Sequence, residues 1–126
     1  EEMRLAAFLQ KVSRMDPAVM PAKTVLNMAT RGGAEAIGLG SSIGSLEIGK
    51  RADIIQVSFD DVHFQPAYDV ISHLVYVADE QDVVSVVVDG KVLMKNREML
   101  SIDTARLKQE ATRLATRIQK TMQSRQ

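Results

Sequence analysis

The sequence predicts an α+β chain, helical at both ends with strands between, and three features carry that reading. Apolar residues recur at helical spacing in "EEMRLAAFLQKV" at the front and again over 107–122 at the back. Two valine-rich runs, "DVVSVVVDGKVLMKN", close around Asp89-Gly90, a dipeptide favoured in type I′ hairpin turns. Between these regions "GSLEIGKRAD" places two glycines and a charged pair just before the apolar run "IIQV", which reads as tight turns feeding a strand.

The first helix is already under way at residue 1, with Leu5, Phe8, Leu9 and Val12 on one face. No Ser, Thr, Asp or Asn precedes it as a cap and the first residue is not Met, so the chain is expected to have been cut from something longer. "RMDPAVMP" breaks the helix: Pro17 pushes Asp16 out of helical geometry, and Pro21 suits the first turn of the next helix. That helix sets Ala22, Val25, Met28 and Ala29 at helical spacing. Gly32-Gly33 is expected to interrupt it before a short continuation through Ala34, Ala36 and Ile37, and Gly38 and Gly40 to end it.

From Ile43 the period changes. Gly44 and Gly49 permit positive φ around a very short extended piece, with Leu46 and Ile48 as its apolar contacts. Ala52 leaves room for close backbone approach, and Asp53 can accept hydrogen bonds from turn amides at the mouth of the strand "DIIQVSF". Asp60 and Asp61 close that strand in a polar loop. "VISHLVY" fits helical spacing, although its β-branched content would also suit a strand; a short helix is favoured. In the last helix Asp103 is the cap, Ile102 can staple against Leu107, and Leu107, Ala111, Leu114, Ala115, Ile118 and Met122 form one stripe. The polar tail "QSRQ" is expected to fray.

Composition excludes several function classes. Sixteen basic residues balance sixteen acidic ones, so no global field draws the chain to nucleic acid or an anionic membrane. Without cysteine there are no disulfides, thiolate nucleophiles or cysteine-based zinc or iron-sulfur sites, which fits a reducing cytoplasm. The apolar runs fall far below the roughly 18 residues that span a bilayer.

Chemistry-bearing groups are sparse. His63 and His73 are the only histidines. His73 lies in apolar "ISHLVY" and reads as a packed, hydrogen-bonded residue; His63, beside Asp60 and Asp61, reads as a loop residue near solvent. Adjacent carboxylates diverge in an extended chain, and no second histidine stands at ligand spacing, so Asp60, Asp61 and His63 are a weak metal candidate. "GLGSSIG" follows a helix and precedes a strand, the reverse of a phosphate-binding loop. Arg106, Lys108, Arg113, Arg117, Lys120 and Arg125 have no interleaved aromatics and read as a solvated face. The seven methionines read as filler of a core or interface, and those near the front suggest surfaces packed against something outside the chain.

Taken in order, "EEMRLAAFLQK", "VLNMATRGGAEAIGLGSSIGSLEIGKRADIIQV", "HFQPAYDVISHLVYVA" and "DVVSVVVDGKVLMKN" resemble the carboxy-terminal portion of the amidohydrolase superfamily. The likeness is strongest to the cytosine-deaminase-like branch, with its methylthioadenosine and S-adenosylhomocysteine deaminases and triazine chlorohydrolases. The second stretch is the most specific. The resemblance implies that residues 1–42 are the last helices of a metal-dependent (β/α)8 hydrolase barrel. Residues 43–101 would then be the carboxy-terminal strands of an accompanying small β-sandwich with one short helix, and 102–126 a terminal helix. The glycine-rich turns would steer the backbone from one body into the other, with Asp53 as a structural anchor.

The same resemblance implies what lies elsewhere. The family's metal ligands, an early His-x-His pair, two later histidines and an aspartate near the end of the barrel, match no position here. No catalytic, cofactor-binding or metal-ligating residue is therefore assigned, and the chain alone is expected to be inactive. In the intact parent, one zinc or iron ion would lower the pKa of a water that attacks an amidine-like ring carbon, releasing ammonia or chloride. The implied partners are the rest of the same polypeptide and further copies of it. Other amidohydrolase branches, imidazolonepropionase-like or guanine-deaminase-like, share the sandwich return. An autonomous α+β interaction module without catalysis is the reading from a different class.

Overall fold

The structure is a computed structural model that describes residues 1–123 of the 126; the end of the predicted polar tail, residues 124–126, lies outside the described residues. It is α+β, with helices at the front, a four-stranded antiparallel sheet in the order β1-β2-β3-β4, and a long final helix.

Helix α1 runs Glu2–Arg14 and ends on Met15, whose left-handed backbone (φ 50) turns the chain. Lys11 locks the break, its ammonium donating to the carbonyls of Pro17 at 2.6 Å and Val19 at 2.8 Å. Helix α2 runs Ala22–Asn27 with extended Pro21 just ahead of it as N-cap. Gly32-Gly33 does not interrupt the helix as the sequence suggested. Met28–Gly32 widen into a π turn, and α3 continues through Gly33–Ala36. A β-carbon on Gly33 would stand 2.9 Å from the Met28 carbonyl oxygen, and one on Gly32 3.3 Å from that of Asn27. Hydrogen in those places lets the helix widen where a side chain would crowd it. Gly38, at φ 74, then ends the helix as expected.

Residues 39–53 are turns. Gly44 (φ 89) and Gly49 (φ 94) take the left-handed region. The short extended piece expected between them is absent, and Leu46 and Ile48 are exposed instead of packed. Strand β1 is Ile54–Val57, and helix α4 is Val70–Tyr76, with Asp69 accepting from the Ser72 amide at 2.6 Å as its cap. Strands β2 (Val83–Val88) and β3 (Lys91–Lys95) form the expected hairpin, with Asp89 and Gly90 both at positive φ. A further strand, β4 (Glu98–Met99), folds back through Asn96-Arg97, also both at positive φ, pairing Lys95 with Glu98. Helix α5, Thr104–Gln123, starts where Asp103 accepts from the Arg106 amide at 2.9 Å.

The core is small. Ala7, Ala22, Val25 and Val75 join α1, α2 and α4, with Met3, Met20, Leu26, Ile71 and Tyr76 partly buried around them. Arg4 reinforces this joint by donating to the carbonyls of Val77 at 3.2 Å and Ala78 at 3.0 Å beyond α4. The apolar face of α1 read from the sequence, Leu5, Phe8, Leu9 and Val12, is at least half exposed. The α5 stripe is likewise open: Leu107, Leu114, Ile118 and Met122 are all exposed, and so is Ile102, expected to staple it. Their periodicity was read correctly, but these faces stay largely open; on α1, Phe8 stacks on Tyr76 of α4 with ring centroids 5.7 Å apart.

Candidate functional site

Three places bring polar groups together. The first is a cleft of about 500 Å³ at the start of β2, whose lining includes Asp61, His63, Asp82 and Arg97. Asp82 is 3% exposed, and its Oδ2 accepts from the Asp79 amide at 2.9 Å and from His63 Nε2 at 3.1 Å. The Asp79 amide, and after it His63, hold the Asp82 carboxyl below its ordinary 3.8, against the opposing effect of burial. His63 Nδ1 stands 3.6 Å from Asp61 Oδ1, and the ring lies 4.3 Å from that of buried Phe64. Both ring nitrogens thus face carboxylates, which suits the imidazole to clamping its loop onto the turn before β2. The loop location of His63 was legible in the sequence; its partner Asp82, 19 residues on, was not.

The other sequence candidates are held locally. Asp61 Oδ1 accepts from the Val62 amide at 2.6 Å, and Asp60 Oδ2 from the Ser58 hydroxyl at 2.8 Å. Each carboxylate therefore serves its own turn, and no group of three or more His, Cys, Asp or Glu side chains that could hold a metal forms among the described residues. His73 is half-buried, and its Nδ1 donates to the Asp69 carbonyl at 2.7 Å, the packed and hydrogen-bonded role expected of it.

The second place is the glycine-rich linker. Lys50 Nζ donates to the carbonyls of Gly40 at 2.7 Å and Ile43 at 3.3 Å and to the Ser45 hydroxyl at 2.7 Å. One ammonium so satisfies three acceptors that the turns leave inside their own curve. Gly44 lies against the helix: a β-carbon there would fall 2.7 Å from that of Ala34 and 3.1 Å from the Thr30 carbonyl oxygen. Beside this contact an open apolar cleft of about 720 Å³ is lined by Leu26, Ile37, Ile43, Ile54 and Ile55 among others.

The third place is the clasp between linker and hairpin tip. Asp53 Oδ1 accepts from the Asp89 amide at 2.6 Å, the Ala52 carbonyl from the Gly90 amide at 3.1 Å, and Asp89 Oδ1 from Arg51 Nε at 3.0 Å. Asp53 does what its position predicted. Arg51 and Lys50 were the parts that motif reading missed, since their acceptors are backbone carbonyls and a distant turn.

Residues 1–93 match the amidohydrolase family, and the chain belongs to that family. It is 48% identical over 118 residues, 94% of its length, to the 5-methylthioadenosine/S-adenosylhomocysteine deaminase of Desulforudis audaxviator. Among solved structures it is similar to a zinc-bound adenosine deaminase from Xanthomonas campestris, at a TM-score of 0.89 and 39% identity over 94% of the chain. It is also similar to the zinc complex of atrazine chlorohydrolase from Arthrobacter aurescens, at a TM-score of 0.78 and 32% identity over 90%. The chain spans 27% of the deaminase from Desulforudis and of the Xanthomonas structure, and 25% of the chlorohydrolase. The zinc of those two structures has no fitting donor set among the described residues here.

Proposed function

We propose that this chain is the carboxy-terminal portion of a metal-dependent deaminase of adenosine derivatives, inert alone and completing the enzyme's scaffold. In this reading residues 1–42 close a (β/α)8 barrel, residues 43–101 return to a small sandwich, and α5 ends the chain. The divalent metal and the proton-transferring groups belong to the rest of the polypeptide, which is the chain's first partner. The cytoplasm is its compartment; among the described residues no helix is long and apolar enough to cross a membrane.

The observation that carries this reading is identity to an adenosine-derivative deaminase across 94% of the chain but only 27% of the relative. The exposed apolar face of α1 supports it, because a surface of Leu5, Phe8, Leu9 and Val12 is what a missing barrel neighbour would cover. Identity also favours deamination over dechlorination, at 48% and 39% for the two deaminases against 32% for the chlorohydrolase.

The test is reconstitution. This chain is co-expressed with the Desulforudis deaminase truncated where the matched region begins, and ammonia release from 5′-methylthioadenosine and S-adenosylhomocysteine is followed beside chloride release from atrazine. Ammonia is expected only when both pieces are present. Turnover by this chain alone would sink the claim of inertness, and chloride release without ammonia would move it to the chlorohydrolase branch. A coding sequence upstream of Glu1 without a His-x-His pair would remove the metal-dependent parent altogether.

A further inference from the structure

His63 stands between two carboxylates that belong to different parts of the chain. Its Nε2 lies 3.1 Å from Asp82 Oδ2 on the turn before β2, and its Nδ1 lies 3.6 Å from Asp61 Oδ1 on its own loop. The two ends are unlike. The Asp82 side chain is 4% exposed, whereas that of Asp61 is 62% exposed. The other charged groups lining the cleft with the ring are Asp79 and Glu80, from the same turn as Asp82, and Arg97, from the bend before β4. Arg97 Nε donates to the Gln81 carbonyl at 2.9 Å, and Asp60, next to Asp61, accepts from the Ser58 hydroxyl at 2.8 Å. Asp61 and Asp82 are left as the carboxylates at the two ring nitrogens. Buried Phe64 packs against the ring at 4.3 Å between centroids, and His73 of α4 lies 6.3 Å from Phe64.

An imidazole serves both carboxylates only as the imidazolium, which carries a proton on each nitrogen. The neutral ring has a single N–H, so one carboxylate must then face a lone pair. Burial decides which. Asp82 would lose a partner that no water can replace, whereas water can take over at exposed Asp61. We propose that His63 is a clamp with two arms, of which pH releases one. Protonated, it holds the Asp61 loop to the turn before β2; neutral, it keeps its proton on Nε2 for Asp82 and lets Asp61 go. The Asp61 arm is thus present in weakly acid solution, with the ring protonated and the carboxylate ionised, and is lost as pH rises. The loop it governs, residues 58–65, carries the chain from β1 towards α4 and contains Phe64, which packs against His73. The switch therefore acts on the seam between sheet and helices. It does not depend on which reaction the parent catalyses.

The chain has two histidines, so ring labelling with nitrogen-15 gives two pairs of nitrogens, and the spectrum of H63Q shows which pair is which. Nitrogen NMR of the wild type from pH about 5 to about 8 is expected to show Nδ1 of His63 losing its proton while Nε2 keeps its own. A ring whose proton count does not change over this range, or whose neutral form is protonated at Nδ1, overturns the proposal. The second measurement is a double-mutant cycle in urea between H63Q and D61A, because glutamine keeps a donor for Asp82 and places nothing at Nδ1. The coupling is expected to be about threefold in the unfolding constant at pH about 5 and to vanish at pH about 8. Equal coupling at both, or none at either, sinks the two-armed clamp.

Discussion

The clasp at residues 51–53 and 89–90 and the outer face of α1 lie in one chain but have opposite fates. At the clasp, backbone and side-chain polar groups find partners at 2.6 to 3.1 Å within the chain itself. Along α1, Leu9 is 58% and Val12 71% exposed, although both sit on the helix's apolar face. Hydrogen bonds are short-ranged and can be completed by local turns, whereas burial of an apolar face needs mass on the other side. The clasp thus completes its polar contacts within the chain, whereas the apolar face of α1 is left largely open.

The strongest way to break this contrast is to charge the open face. Leu9→Lys is expected to leave the thermal midpoint of this chain alone unchanged but to destabilise the intact polypeptide by about 3 kcal/mol, since a buried charge would then lack a partner. Equal effects in both forms would mean that α1 faces solvent in the parent too. Next comes Gly44→Ala, which combines φ 89 with a 2.7 Å approach to the Ala34 β-carbon. Denaturant unfolding should register a loss of about 3 kcal/mol in either form, because the strain is internal.

Asp82 gives a smaller, pH-dependent effect. Its carboxyl is held below 3.8 in the fold, so it contributes stability at neutral pH that disappears as pH falls from about 4 through the folded value. The urea midpoints of the wild type and Asp82→Asn should therefore differ at pH near 7 and converge in acid; a constant gap would separate the effect from ionisation. The smallest change belongs to Arg31→Ala. Its pair with Glu47 at 3.2 Å is more than half exposed on both sides, and the midpoint should not move measurably.

Legibility in the sequence followed the range of the interaction. Asp89-Gly90 announced its turn because both residues tolerate positive φ, whereas Asn96-Arg97 adopts the same conformation with an arginine that local preference disfavours. That is why β4 went unread. Gly32-Gly33 carries a helix-breaking preference, and the widened turn wins because the glycines admit it and Gly44 packs close behind. The clamp of His63 on Asp82 joins groups that no local spacing relates. The stripe of α5 was visible in full, but periodicity says which face is apolar and not what meets it.

Asp53 and Asp89 stand 36 positions apart yet touch, so everything between them is a lobe tied at its neck. Such a lobe is not separate, however: α4 inside it packs Val75 against Ala7, Ala22 and Val25, and β2 pairs with β3 beyond it, so a graft between homologues has to match those contacts as well as the neck.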